Sequence, residues 1–225
     1  MAFRLYTGLT MSTSIKKEIL RKLFHLMELP VLLAYTVCRY FWSEKVAILA
    51  LTAMFMVLME IEYVRLEMKP KLPRLLNIMR PHEKDNVAGS IFFIAATIIV
   101  FAVFDYSIAL TALMLTVCGD LASALFGIKF GKHRIFRKKT LEGFLAGLAV
   151  NLLVGFLMLP AFPAIYVIMA LVASTVELLT GKLDDNLTVP LFAGFTGQII
   201  AFLMQADLSA FPGPMEWFFK LITKS

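Results

Sequence analysis

The chain has 225 residues, of which 60% are hydrophobic and only 17% are charged. A soluble globular domain is about 45–50% apolar and about 25% charged, so the composition excludes an ordinary soluble domain. Disordered chains and coiled coils need still more charge and are excluded as well. Because a transmembrane helix takes roughly 20 apolar residues, the length allows about six to eight spans. We therefore expect a single integral-membrane domain over residues 1–225.

Seven apolar stretches follow one another along the chain. Long apolar segments in lipid predict helices, because only helices and closed barrels satisfy all their backbone hydrogen bonds there. The stretches lie near Leu23–Phe41, Val46–Val64, Val87–Phe104, Ser107–Phe126, Leu141–Leu159, Pro163–Leu179 and Val189–Gln205. The sequence therefore predicts an all-α, polytopic membrane protein with about seven transmembrane helices.

The basic residues are distributed unevenly between the two sides of this arrangement. Of the 22 lysines and arginines, all but Arg39, Lys45, Lys220 and Lys224 fall on the side that holds the N-terminus. The positive-inside rule then places the N-terminus in the cytoplasm and the C-terminus outside. It also explains the net charge of +6 without nucleic acid as a partner.

Most of the 16 acidic residues lie on the same side as the bases. Those at or just within the cytoplasmic ends of the stretches are Glu28, Glu60, Glu62, Glu67, Asp120, Glu142, Glu177, Asp184 and Asp185. Ionisable groups at membrane depth are costly and are therefore functional candidates. A small anion transporter would place polar groups through the bilayer midplane, where these stretches are almost bare. The asymmetry favours an enzyme that acts at the cytoplasmic face.

The densest polar segment runs from Gly119 to Gly143. Asp120 lies less than two turns from the expected end of the fourth helix, and a glycine- and lysine-rich loop follows it. The loop reaches Thr140, a suitable N-cap for the fifth helix. A helix N-terminus flanked by lysines attracts phosphate through its unpaired amides and its dipole. We therefore predict a nucleotide-binding loop at about residues 127–140.

The residues expected to contact the nucleotide are Gly119, Gly127, Gly131, Lys132, Lys138, Lys139 and Thr140. The segment is not a Walker A loop, because Lys132 is followed by His133 rather than by serine or threonine. Two structural explanations stay open, since positive-inside topology also requires lysines here and glycines four apart also serve helix packing. Asp120 favours phosphate binding, because an acid one helix away can hold Mg²⁺ against the same phosphates.

A second cluster combines Glu177 with Asp184, Asp185 and Asn186, between the sixth and seventh stretches. Adjacent acids followed by asparagine suit a divalent cation that keeps part of its water shell. The alternative is a polar turn in which Asn186 or Thr188 caps the seventh helix.

A third set shares one helical face at the entry to the first stretch: Glu18, Arg21, Lys22 and His25. Such spacing usually marks a surface ion-pair face. At the membrane boundary, His25 is also a candidate to hydrogen-bond a lipid hydroxyl or a phosphate.

Taken in order, the three segments resemble the polyprenol kinase family. This is the group of CTP-dependent lipid-alcohol kinases that includes dolichol kinases, phytol kinases and CTP-dependent diacylglycerol kinase. The family's N-terminal motif is similar to Glu18…Arg21-Lys22…His25 in this sequence. The family's signature motif is similar to Gly119-Asp120…Lys138-Lys139-Thr140…Glu142-Gly143. The last motif is similar to Glu177…Asp184-Asp185-Asn186-Leu187…Pro190. The resemblance extends over nearly the whole chain.

The resemblance implies transfer of the γ-phosphate of CTP, with Mg²⁺, to the hydroxyl of a membrane lipid alcohol. The metal ligands would come from Asp120, Asp184, Asp185 and Glu177. The catalytic residues would be Asp120, Asp185, Glu142 and His25, with Asp185 or Glu142 orienting or deprotonating the hydroxyl. Some relatives are phosphatidate cytidylyltransferases, which attack the α-phosphate instead. Their Ser-x-x-Lys-Arg and Pro-Gly-His-Gly-Gly-type elements are not found in this sequence.

Overall fold

The computed structural model describes residues 26–68, 87–137, 139–181 and 183–208. In these ranges the chain forms seven helices and one small antiparallel sheet. The helices are α1 (Glu28–Phe41), α2 (Glu44–Met68), α3 (Gly89–Val103), α4 (Tyr106–Phe130), α5 (Leu141–Met158), α6 (Pro163–Leu179) and α7 (Asp185–Leu203). Strands β1 (Arg134–Phe136) and β2 (Lys139–Thr140) form a hairpin between α4 and α5.

The all-helical, membrane-type architecture predicted from composition is confirmed. Four helices are long and apolar enough to cross a membrane, namely α2, α4, α5 and α7. The apolar helices α3 and α6 are shorter, at 15 and 17 residues, and α1 has 14. Seven complete spans and their orientation stay predictions.

Helix ends agree with the predicted stretches to within a few residues, and the caps of α7 and α5 test the prediction in detail. Helix α7 begins at Asp185, four residues before the predicted start, because the carboxylate of Asp184 accepts a hydrogen bond from the amide of Asn186 at 3.0 Å. The alternative of a polar turn that caps this helix therefore holds, but the cap is Asp184 rather than Asn186 or Thr188. The predicted cap of α5 is confirmed, since the hydroxyl of Thr140 accepts from the amide of Gly143 at 3.2 Å.

Helix α4 is the centre of the bundle and contributes to both apolar clusters of the described core. One cluster joins α4 to α1, α2 and α3 around Leu32, Phe93 and Leu113. The other joins α4 to α6 and α7 around Ile108 and Met169. Burial on several sides explains why α4 is apolar all round rather than amphipathic. Helix α4 thus fixes the relative positions of the helices that carry the polar residues.

Side-chain hydrogen bonds tie the ends of several helices together at one end of the bundle. The carboxylate of Glu62 in α2 accepts from the amide of Ala88, just before α3, at 2.7 Å. Arg65 holds the same carboxylate through two bonds of 2.7 and 2.8 Å. On the other side of α3, the side-chain amide of Asn186 donates to the carbonyl of Gly89 at 3.3 Å. We call this the hairpin end, because β1 and β2 also lie there.

The opposite end carries a separate group of polar contacts. The guanidinium of Arg39 lies 4.1 Å from the centre of the Tyr106 ring and 3.8 Å from the carboxylate of Glu44. Asp105 and Gln198 exchange two hydrogen bonds of 2.6 and 2.9 Å, which join the turn before α4 to α7. These contacts hold the helix ends together at a distance from the hairpin end.

Candidate active site

The centre of the candidate site is an ammonium group that lies between two carboxylates. Lys139, in β2, donates a hydrogen bond to the main-chain carbonyl of Glu177 near the end of α6. Its Nζ atom also lies 3.9 Å from Oε1 of Glu177 and 4.0 Å from Oδ2 of Asp185, the first residue of α7. The hairpin therefore meets the end of α6 and the start of α7 at this point. The structure brings together one predicted nucleotide residue and two predicted metal ligands.

Helix α4 adds a hydroxyl and a buried acid to this centre. The hydroxyl of Ser123 contacts Oε1 of Glu177 as its hydrogen-bond donor, and it also lies 3.1 Å from the carbonyl of Asp120. The side chain of Glu177 is almost fully buried, and Asp120 is only 9% exposed. The hydrogen bond from Ser123 holds the carboxylate of Glu177 from the side of α4. Ser123 was not among the residues predicted for the site.

Close packing of α4 and α5 places Ser123 near the start of α5. A β-carbon added to Gly143 would lie 2.7 Å from the carbonyl oxygen of Ser123 and 3.2 Å from Cα of Gly127. One turn further along α5, a β-carbon on Gly147 would lie 3.1 Å from Cβ of Ser123. The backbones can approach this closely only because these positions carry no side chain. The helix-packing interpretation therefore holds for Gly143 and Gly147.

The predicted loop is shorter than the sequence suggested. Helix α4 continues through Gly127 to Phe130, so Gly127 is helical and packs against Thr140 and Gly143. Asp120 consequently lies ten residues, or nearly three turns, before the helix end rather than less than two turns. Gly131 follows as the C-cap, its amide donating to the carbonyl of Gly127 at 3.1 Å. The loop therefore begins at Gly131 rather than at residue 127.

The rest of the segment is a β-hairpin, which the sequence did not predict. Its turn contains Arg137 in the left-handed region, with φ of 52°. The guanidinium of Arg137 lies close against Gly181 in the turn between α6 and α7. A side chain at position 181 would have to displace this guanidinium. The hairpin is thus packed onto the turn that leads to Asp185.

Glu142 lies at the base of the hairpin and contacts His133. Its carboxylate is 2.7 Å from Nδ1 of His133 and accepts from the His133 amide at 3.2 and 3.3 Å. The amide of Leu141 donates in turn to the carbonyl of His133 at 2.8 Å. These bonds close the loop between Gly131 and α5. The arrangement gives Glu142 a structural task that the sequence did not indicate.

The predicted four-acid metal site is not assembled as such. Within the described ranges, no group of three or more His, Cys, Asp or Glu residues is placed to hold a metal ion. Asp184 is occupied with the cap of α7. Glu177 and Asp185 nevertheless converge on Lys139, and Mg²⁺ commonly binds proteins through one or two carboxylates together with substrate phosphates. The residues present therefore fit a Mg²⁺ ion that arrives with a nucleotide.

Sequence reasoning missed a polar pair inside the bundle. Asn151 in α5 is 1% exposed and donates through Nδ2 to the hydroxyl of Ser174 in α6 at 3.0 Å. Its Oδ1 has no hydrogen-bond partner among the described residues and packs on Gly119, where an added β-carbon would lie 2.5 Å away. The helix interiors are thus not bare. The signal was an asparagine in the middle of an apolar stretch, which usually faces another helix.

Several predicted residues lie outside the described ranges. They are Lys138 and the whole N-terminal set with His25. Lys132 is described and exposed, directly before the hairpin. Contact with a nucleotide stays a prediction for all of the predicted loop residues.

Comparison with known proteins identifies the family. A family model described as the Cytidylyltransferase family matches residues 2–185, which is most of the chain. The chain therefore belongs to this family of CTP-utilising transferases, which includes the CTP-dependent polyprenol and lipid kinases. The match ends at Asp185 and so includes the hairpin, Glu177 and all of α4. No curated protein and no solved structure matches the chain.

Proposed function

We propose that the protein is a CTP-dependent kinase that phosphorylates the hydroxyl of a membrane lipid alcohol of the polyprenol, dolichol or phytol type, at the cytoplasmic face. The observation that carries the proposal is the ammonium of Lys139 between Glu177 and Asp185, at the end of an apolar helix bundle. A polyphosphate needs cations and a metal ion, whereas a lipid alcohol needs an apolar route. This end of the bundle combines Lys139 and two acids with the ends of apolar helices, which supports the proposal.

The hairpin and the start of α5 would hold the triphosphate. Lys132 is exposed beside the hairpin, and Lys139 is in β2, immediately before the cap residue Thr140. The dipole of α5 favours an anion at the same place, whereas the amides of Leu141 and Gly143 are already hydrogen-bonded to His133 and Thr140. In this scheme Lys138, between Arg137 and Lys139 in the sequence, belongs to the same cationic group.

We assign Asp120, rather than Asp185 or Glu142, the role of receiving the lipid hydroxyl. It lies one turn before Ser123 on α4, deeper in the bundle than the contact between Ser123 and Glu177. The hydroxyl oxygen would attack the γ-phosphorus as the bond to the β,γ-bridging oxygen breaks. CDP leaves, and the hydroxyl proton passes to the carboxylate of Asp120. Phosphoryl transfer depends mainly on positioning and charge neutralisation, which is what this set of residues offers.

Glu177 and Asp185 would hold Mg²⁺, which neutralises phosphate charge when it is bound. Ser123 keeps the carboxylate of Glu177 in place. His25 would contact the lipid hydroxyl or a phosphate, as the family resemblance implies. Glu142 would act through His133 by keeping the hairpin closed.

The proposal is tested by following the label of CTP in the purified protein. With CTP labelled at the γ-phosphate and a panel of polyprenol, dolichol, phytol and diacylglycerol, we expect label in one or more of the lipid alcohols. Label in diacylglycerol alone would make the protein a CTP-dependent diacylglycerol kinase. Absence of lipid label from every acceptor would refute a kinase and return the anion transporter to consideration.

Cytidylyl transfer to phosphatidate is the second candidate, because the matching family is described by that reaction. It differs in the phosphorus that is attacked, so CTP labelled at the α-phosphate separates the two. A kinase leaves the α-label in CDP, whereas a cytidylyltransferase places it in the lipid and releases pyrophosphate.

Asp120→Asn is the sharpest single test of the proposed chemistry. We expect loss of lipid phosphorylation of at least about 100-fold, since general-base groups typically contribute that much or more. Asp105→Asn is the matched control, because it makes the same change at the opposite end of the bundle. Near-normal turnover of folded Asp120→Asn protein would contradict the role proposed for this acid.

A further inference from the structure

Lys139 makes one hydrogen bond and two longer contacts with charged groups. Its ammonium is hydrogen-bonded to the main-chain carbonyl of Glu177, whereas both carboxylates lie 3.9 and 4.0 Å away. Those separations exceed the 2.7–3.2 Å of a nitrogen–oxygen hydrogen bond. The ammonium therefore supplies charge to the two acids without being bonded tightly to either of them.

A divalent cation bound by these two acids would need the same space. Mg²⁺ coordinates carboxylate oxygens at about 2.0–2.1 Å, so an ion shared by Glu177 and Asp185 must lie between them. The Nζ atom of Lys139 already lies within 4.0 Å of an oxygen from each. A second cation in this gap would be repelled by the ammonium, because both carry positive charge.

We propose that Lys139 and the divalent cation compete for Glu177 and Asp185, and that the phosphates of the nucleotide resolve the competition by drawing the ammonium away. The inference rests on the proposed function for the identity of the nucleotide. It makes Lys139 a positioning residue that couples metal binding to nucleotide binding. A divalent cation alone then binds weakly, and nucleotide and cation strengthen each other's binding by the same factor.

The surroundings show which of the partners can move. Glu177 is fixed by the hydroxyl of Ser123 and is almost fully buried. Asp185 is in the first turn of α7, directly after the cap Asp184. Lys139 by contrast is in a two-residue strand, and its side chain is 34% exposed on a flexible four-carbon stem. The acids stay in place while the ammonium can turn toward an incoming phosphate.

The test is Mn²⁺ binding to the full-length protein in detergent, followed by electron paramagnetic resonance without nucleotide. Lys139→Met removes the competing cation, and we expect it to bind Mn²⁺ on the order of tenfold more tightly than the unchanged protein. Lys139→Arg keeps the charge and should leave the affinity low. Lys129→Met is the matched control, because it removes an exposed lysine near the end of α4. Its affinity should equal that of the unchanged protein.

A second variant shows where the gained Mn²⁺ binds. Adding Glu177→Gln to Lys139→Met should abolish the gain. An unchanged or lower Mn²⁺ affinity in Lys139→Met protein that elutes as a single species overturns the proposal, as does an equal gain in Lys129→Met. The kinase assay separates this from the proposed function. If Lys139→Met gains Mn²⁺ affinity but the unchanged protein phosphorylates no lipid, the competition is supported and the kinase is refuted. If the unchanged protein phosphorylates a lipid but Lys139→Met gains no Mn²⁺ affinity, only the competition is refuted.

Discussion

Replacing Gly143 by alanine tests how closely α4 and α5 must pack. The added β-carbon would lie 2.7 Å from the carbonyl oxygen of Ser123, and ordinary contact begins near 3.4 Å. The obstacle is backbone rather than a flexible side chain, so the two helices must separate by about 0.7 Å. The same separation would shift Ser123 relative to Lys139, and thus disturb the contacts of Glu177.

The expected loss of stability follows from that displacement. A gap of 0.5–1 Å forfeits roughly a quarter to a half of the attraction across a contact, and overpacking costs about 1–3 kcal/mol. For a chain of this size, 1 kcal/mol corresponds to about 2–4 °C in Tm. We therefore expect Gly143→Ala to melt several degrees below the unchanged protein, and lipid phosphorylation to fall as well.

Gly127→Ala provides the contrast on the facing helix. Its β-carbon would lie 3.3 Å from the Thr140 hydroxyl and 3.7 Å from Cα of Gly143, which is close to ordinary contact. Alanine also gains about 1 kcal/mol over glycine inside a helix. We expect Gly127→Ala to melt within about 2 °C of the unchanged protein. A Gly143→Ala protein that is as stable as the unchanged protein, or an equal loss of stability in both variants, would contradict this prediction. Labelling of the two cysteines by a thiol-reactive dye during heating measures the Tm in detergent.

Two further substitutions test the polar contacts at the hairpin end. Glu62→Gln places an amide against Arg65 while it keeps an acceptor for Ala88, and with both side chains nearly buried we expect a loss of about 1–3 kcal/mol. An unchanged Tm in the same thiol assay would argue against this prediction. Glu142→Gln weakens the contact with His133, so we expect a raised KM for CTP with kcat reduced much less. A loss of kcat as large as that of Asp120→Asn would instead make Glu142 the base, and steady-state kinetics distinguish the two.

The helices were predictable because apolar length carries most of the information in a membrane chain. Helix α6 has the predicted bounds, Pro163–Leu179, since proline begins it and the polar residues after Leu179 end it. The residue types at the centre of the candidate active site were predictable too. Lys139, Glu177 and Asp185 were each singled out, because charge at the edge of an apolar stretch is costly unless it is used.

The contacts among those residues were not predictable, because they depend on how the helices pack. Gly127 was predicted to lie in the loop, yet it faces Gly143 and the helix continues past it. In the sequence alone, a glycine in a loop cannot be distinguished from a glycine at the crossing of two helices. The hairpin was missed for a similar reason, since its strands have only three and two residues and too short an alternation to detect.

The packing of glycines and the placement of charges are two parts of one arrangement. Lys139 is fixed to the start of α5 through Thr140, and Ser123 is fixed to α4 at the point where Gly143 touches its carbonyl. Lys139 donates to the main-chain carbonyl of Glu177, and Ser123 donates to the carboxylate of the same residue. The distance between the ammonium of Lys139 and the hydroxyl of Ser123 is therefore set by the backbone contact between Gly143 and Ser123. It follows that a methyl group at position 143, which touches no charged residue, should disturb the charged centre more than a methyl group at Gly127.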